Sequence, residues 1–232
     1  MISIVQNFIC TQPDRLDVIE RNMPKLKSTL GDCPFIVNFN DTVNLDKIQD
    51  LYNEYIPNLS FENNMDRRWA EVTLDLVKRV ETPYVAYLCE DQEVNVDREF
   101  MWNSFNEAFD ELGVQYYMLT RIGKYISPRY RKKYVKQKYG YTYKCNEAPH
   151  KRLSLDAIYE TKWFIELLEE FIKNQNNIGH HIPFNQKNLP NFYEGYYDFQ
   201  NGTSRFKDMM CYIPKKVVVL EYDESKQKHA YI

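Results

Sequence analysis

Four short apolar runs alternate with amphipathic stretches over the first hundred residues, and this alternation constrains the fold more than any other feature of the chain. Ile2-Ser3-Ile4-Val5, Phe35-Ile36-Val37, Leu59-Ser60-Phe61 and Tyr84-Val85-Ala86-Tyr87-Leu88 are brief and rich in β-branched or aromatic residues, which predicts strands. Between them, apolar residues recur at steps of three and four, which predicts helices. The first set is Leu16, Ile19, Met23, Leu26 and Leu30; the second is Leu45, Ile48, Tyr52 and Tyr55; the third is Trp69, Val72, Leu76 and Val80. Pro13-Asp14 opens the first helix with Asp14 as its N-cap, Pro24 is a point of kinking or splitting, and Gly31 ends it. Strands and helices in this rhythm predict βαβ units: an α/β, Rossmann-like, mostly parallel sheet flanked by helices.

The pattern changes afterwards. Phe100, Met101, Phe105, Phe109 and Leu112 predict a helix, and Val114 to Thr120 a further strand. Residues 129–144 (RYRKKYVKQKYGYTYK) hold seven Lys or Arg, five Tyr and no acid. Leu155, Ile158, Ile165, Leu168 and Ile172 predict one long helix ending near Lys173. The final sixty or so residues read as an irregular, aromatic elaboration with one late strand at Val217 to Leu220. There is no internal repeat and no clear linker, so residues 1–232 are read as one domain with a C-terminal helical and irregular elaboration.

Composition narrows the classes. Seven Gly in 232 residues exclude collagen-like and Gly-rich low-complexity chains, and 15% aromatic residues exclude a disordered one. A net charge of −3 means that a nucleic-acid role would need a local basic patch. No window approaches 18 consecutive apolar residues, so no membrane span is expected. The start, MISIVQNFIC, has no basic lead and no small-residue cleavage site, and a cytoplasmic location is the expectation. Cys10, Cys33, Cys89, Cys145 and Cys211 are dispersed and odd in number, reading as free thiols in a reducing compartment.

In a parallel sheet, ligands sit at the carboxyl ends of the strands. Each predicted strand here ends in polar residues: Gln6-Asn7, then Asn38 to Asp41, then Glu62-Asn63-Asn64, then Glu90 to Glu93. The sharpest segment is TPYVAYLCEDQEV, residues 82–94, where an apolar strand delivers carboxylates and an amide to its end. Such carboxylates repel unless a cation or a donor sits between them. A divalent ion with hard oxygen ligands is one solution. The same residues also read as an acidic turn capping the next helix.

This segment resembles the metal-binding strand of GT-A glycosyltransferases, in particular the family 2-like enzymes, whose pattern is an apolar strand followed by Asp-x-Asp-Asp. Tyr84 to Leu88 match the strand and Asp91 the second Asp; Cys89 stands where the first Asp would be, Glu90 in the variable place and Gln92 at the third acid. The upstream order is similar too: SIVQNF at the first strand, Asn38-Phe39-Asn40-Asp41 at the uracil-holding turn, and Glu62-Asn63-Asn64 followed by Asp66-Arg67-Arg68 at the third strand. The likeness covers residues 1 to about 125. It implies a GT-A fold with a nucleotide-sugar half (1–125) and an acceptor half (126–232). It also implies transfer of a sugar from a UDP-sugar, UDP-glucose being taken first, to a hydroxyl of a glycan or other acceptor, with inversion.

On this resemblance Gln6, Asn7, Asn38, Asn40, Asp41, Asn64, Arg67, Arg68, Glu90 and Asp91 line the nucleotide-sugar site. Asp91, with Glu90 or Gln92, holds manganese or magnesium, and His180 or His181 is a late additional ligand. An inverting enzyme needs a general base near the acceptor, and Asp156, with Glu160 a turn later on the predicted helix, supplies the candidates. The alternative is a non-catalytic carbohydrate- or RNA-binding module using residues 129–144, although nucleic acid is not the partner expected. A nucleotidyltransferase ranks third, because no Gly precedes Gly31 to form a phosphate loop.

Overall fold

The apolar runs form strands, of which the first two are buried on both faces and the third, at the sheet edge, is half-buried. In a computed structural model describing residues 1–8, 13–39, 45–63, 68–90, 92–120, 133–144, 156–175, 209–223 and 228–230, β1 (Ile2–Phe8), β2 (Phe35–Phe39), β3 (Leu59–Glu62) and β4 (Tyr84–Tyr87) are parallel neighbours in the order β3-β2-β1-β4. The helices between them are α1 (Pro13–Leu30), α2 (Leu45–Tyr55) and α3 (Trp69–Lys78).

The period of two divides β1 between two cores. Ile2, Ile4 and Phe8 pack with Leu16, Ile19, Met23 and Leu26 of α1 and with Ile48 and Tyr52 of α2. Val5 points the other way, into a core shared with Trp69, Val72 and Leu76 of α3. That second core also takes Phe164, Leu167, Leu168 and Phe171 of α5 (Thr161–Gln175).

Beyond β4 the large sheet continues through β9 (Ala157–Glu160), β6 (Tyr116–Met118), β10 (Met210–Pro214), β8 (Gly140–Lys144) and the edge strand β7 (Val135–Lys136), nine strands in all. Only β8 and β9 run against the other seven. A second sheet of β5 (Gln92–Val94), β11 (Val219–Asp223) and β12 (Lys228–Ala230) is antiparallel, in the order β12-β11-β5. Helix α4 (Arg98–Asn106) runs into a π-helical turn, Glu107–Glu111.

Several expectations are corrected. The long helix expected from Leu155 begins only at Thr161; residues 157–160 are strand β9, hydrogen-bonded on both edges between β4 and β6. A short apolar run fits either period, and pairing with two neighbours decides in favour of the strand. Helix α1 starts at Pro13, which places Asp14 inside it rather than at the cap. It also runs unbroken past Pro24, which lies on its exposed face. Among the described residues, the C-terminal region carries three strands where one was expected. Cys33, Cys89 and Cys211 are buried; Cys10 and Cys145 lie outside the described residues.

Candidate functional site

Parallel pairing aligns the carboxyl ends of β1 to β4 on one rim. A buried polar network lies directly beneath it. Asn7 Nδ2 donates to the Trp69 carbonyl at 3.1 Å and to Thr73 Oγ1 at 2.8 Å. Its Oδ1 accepts from Asn38 Nδ2 at 2.9 Å. The Tyr87 hydroxyl donates to the Asn7 carbonyl and accepts from Trp69 Nε1, both at 2.8 Å. On the opposite face, Tyr52 donates to Gln6 Oε1 at 2.7 Å.

Gln6, Asn7 and Asn38 were expected to line the nucleotide-sugar site. The structure instead places them within the strands, at 3%, 3% and 0% exposure, where they tie β1 to β2, α2 and α3. They brace the rim from within. Arg68 stays at the rim, half-buried in extended backbone just before α3. Asn40, Asp41, Asn64 and Arg67 lie outside the described residues.

The acidic turn follows β4. Cys89 and Glu90 are buried, and the Glu90 carboxylate pairs with Arg15 in the first turn of α1. Glu93 pairs with Arg21 and Lys25 of the same helix. Thus the charge expected to need a metal is compensated, at Glu90 and Glu93, by guanidinium and ammonium groups of the fold. Asp91 itself lies outside the described residues, as do His180 and His181. Gln92 lies in β5 as the register partner of Glu221 in β11, its carbonyl accepting from Asn22.

The inner edge of β5 is held by a side chain. Asn22 Nδ2 donates to the Gln92 carbonyl at 2.8 Å, and Asn22 Oδ1 accepts from the Val94 amide at 2.9 Å. One amide side chain therefore mimics a neighbouring strand. Thr29 Oγ1 continues the series to the Val96 carbonyl at 3.3 Å. Arg15, Asn22 and Thr29 are spaced by seven, so they form a stripe along α1 that grips residues 90–96.

Asp156 reaches the same turn from the second half of the chain. It precedes β9, whose Ala157 pairs with Tyr87 at the carboxyl end of β4. Its Oδ1 accepts from the Cys89 amide at 2.8 Å, and it is 6% exposed. Glu160 behaves differently. It pairs with Tyr84 at the other end of β4, about 13 Å away along the strand. There it lines a separate cleft of about 670 Å³ with Glu81, Tyr84, Phe109 and Lys162. Asp156 and Glu160 therefore do not share a site, because a strand carries them apart where a helix would have stacked them.

Among the described residues, no three His, Cys, Asp or Glu side chains come together as a metal cage. Sequence reasoning missed Arg15, Asn22, Tyr87 and Thr73. The readable signal was the polar heptad Arg15-Asn22-Thr29 on a helix with a strong apolar face.

No family profile matches the sequence, and no curated protein matches it. Solved structures do. The S. aureus TarS fragment 1–349 in complex with UDP-GlcNAc superposes with a TM-score of 0.51 at 14% identity, over 73% of this chain and 46% of that one. The mannosyltransferase PcManGT from Pyrobaculum calidifontis, in complex with GDP-Man and Mn2+, gives a TM-score of 0.55 at 13% identity, over 97% and 58%. A cytidylyltransferase from Leptospira borgpetersenii gives 0.52 at 13% identity, over 100% and 81%. The chain spans about half the length of the TarS fragment. These likenesses show the fold: an α/β, GT-A-type architecture.

Proposed function

We propose that the chain transfers a sugar from a nucleoside diphosphate sugar to an acceptor hydroxyl at the carboxyl rim of β1 to β4. One observation carries the reading: after β4, Glu90 pairs with Arg15 and the Cys89 amide donates to Asp156, immediately before Asp91 in the sequence. Structural neighbours bound to UDP-GlcNAc and GDP-Man support it. UDP-sugars, with UDP-glucose first, are the donors to test, and inversion is the outcome to look for.

The reaction asks two things of the residues. The acceptor oxygen attacks the anomeric carbon while the carbon–oxygen bond to the diphosphate breaks and the diphosphate leaves with the electron pair. The hydroxyl proton passes to a carboxylate, a role we give Asp156, which also fixes the turn through the Cys89 amide. To Arg15, which pairs with Glu90, and Arg68, which precedes α3, we give the role of offsetting the charge of the departing diphosphate. The oxygen donors Asp91 and Glu90 suit a hard divalent ion such as manganese or magnesium, and such an ion would neutralise the leaving group. Glu90 would then be shared with Arg15.

In this reading residues 1–125 form the donor half and 126–232 the acceptor half of one domain. The test is turnover of a UDP-, GDP- and CDP-sugar panel with manganese. Sugar transfer or slow donor hydrolysis, lost in Asp91→Ala, is expected; no turnover of any donor overturns the reading. A second reading, nucleotidyl transfer, draws on the cytidylyltransferase likeness over the whole chain. It would release pyrophosphate from CTP, which the same panel extended to nucleoside triphosphates detects.

A further inference from the structure

The transfer proposed above assigns no role to the basic, Tyr-rich stretch, whose described portion has a definite form. Residues 133–144 make the β7–β8 hairpin, with Lys133, Lys136, Lys138 and Lys144 all exposed and no acid among them. The turn after β10 adds Lys215 and Lys216, and the Lys215 amide donates to the Tyr139 carbonyl at 2.8 Å, joining that turn to the hairpin. Several cations elsewhere are matched: Arg15 with Glu90, Lys25 with Glu93, Lys47 with Glu20, Lys78 with Glu169 and Arg98 with Asp32. Among the described residues, none of these six lysines forms an ion pair. Glu111 and the buried Glu107 are the acids that act on Lys138, and Glu107 is already held by the Lys138 and Tyr139 amides and the Tyr212 hydroxyl.

Apart from the half-buried Tyr141, the described aromatic rings here are already engaged. Tyr134 packs on Tyr143 at 5.2 Å and Phe100 meets Tyr139 edge-on at 6.1 Å. Lys138 covers Tyr139 at 4.9 Å and Lys216 covers Phe100 at 4.8 Å. Rings so engaged do not offer the open faces on which nucleic-acid bases stack. What the surface presents is an edge strand with Val135 62% exposed, among exposed lysines. Lysines on an edge also discourage strand-to-strand pairing, which accounts for Lys133 and Lys136. It does not account for Lys138, Lys215 and Lys216, which sit in turns.

We propose that the β7–β8 hairpin and the β10–β11 turn dock the protein on an anionic lipid surface, with the lysines at the headgroups and Val135 at the interface. This surface is about 24 Å across the sheet from β4, which would leave the acidic rim open to solution. The proposal stands independently of the chemistry assigned to that rim.

Co-sedimentation of the full chain with phosphatidylcholine vesicles, with and without 30% phosphatidylglycerol, is the test. Binding is expected only to the anionic vesicles, falling steeply between about 50 and 500 mM salt. Each lysine is worth about 1 kcal/mol near such a surface, a factor of about five, so K136Q/K138Q/K216Q lowers partitioning about a hundredfold. K47Q/K78Q, on helices away from the patch, leaves it unchanged. Circular dichroism shows that both variants remain folded. Equal binding to both vesicle types, no binding to either, an unaffected triple variant, or tighter binding to a 20-nucleotide RNA each overturns the proposal.

Discussion

Replacing Asn22 tests whether the stripe on α1 holds the acidic turn in place. Its side chain makes two bonds to β5, at 2.8 and 2.9 Å, and all three residues are buried, at 6%, 4% and 2% exposure for Asn22, Gln92 and Val94. In Asn22→Leu the Gln92 carbonyl and Val94 amide lose their partner away from water. Each orphaned group costs about 1–3 kcal/mol, so the variant loses about 2–6 kcal/mol. That is a large share of the roughly 5–15 kcal/mol typical of a domain. Asn22→Asp keeps the acceptor for Val94 but turns a carboxylate toward the Gln92 carbonyl, so it also destabilises. Urea denaturation reads the magnitude, and hydrogen exchange at the Val94 amide reads the location. Asn53→Leu, on the exposed face of α2, serves as control and stays within about 0.5 kcal/mol. If Asn22→Leu matched that control, or if Val94 stayed as protected as in the parent, the clamp would be discarded.

Other consequences follow from the same structure. Burial raises the phenol pKa of Tyr212, as do its bond to Glu107 and the charge of that carboxylate; burial likewise raises Tyr117. An acid held neutral by the fold contributes stability that is complete below the ordinary phenol range and lost as pH climbs beyond it. Urea midpoints should therefore hold to about pH 9 and fall above about pH 10, with a shallower fall in Tyr212→Phe; an unchanged slope in that variant contradicts the assignment. A Cβ on Gly140 would collide with the Tyr212 ring, which is fully buried and stacked on Tyr117 at 5.1 Å. Gly140→Ala should cost about 1–3 kcal/mol, read as a lowered melting temperature, and an unshifted melt would show that the ring moves freely. Asp156→Asn keeps an oxygen for the Cys89 amide but cannot take a proton. It should fold normally and lose at least about a hundredfold in turnover, whereas retained turnover would leave Asp156 a purely positioning role.

The first half of the fold was legible because each strand is bounded by polar residues and each helix shows a wide apolar stripe. The second half was not, for local reasons. Ala157-Ile158-Tyr159 carries no period of its own, and only its neighbours β4 and β6 make it a strand. The misread period then misplaced Glu160, while Asp156, chosen for a helix start that does not exist, arrived at the acidic turn by way of a strand. Polarity at strand ends located the rim correctly, yet it did not separate residues facing out from residues bonded inward. Asn7 and Asn38 bond to each other because they are register partners on adjacent strands, and register is invisible before the sheet is assembled. Arg15, Asn22 and Thr29 were readable as a polar heptad, but their purpose appears only with residues 90–96 laid against them.

Calorimetric titration of UDP, GDP and CDP into the full chain, with and without manganese, addresses the central assignment most directly. We expect one nucleoside diphosphate to bind at one site per chain, more tightly with the metal, with affinity abolished in Asp91→Ala and reduced in Arg15→Ala. Binding indifferent to both substitutions, or none to any of the three nucleotides, would place the chemistry elsewhere than the carboxyl rim of β4.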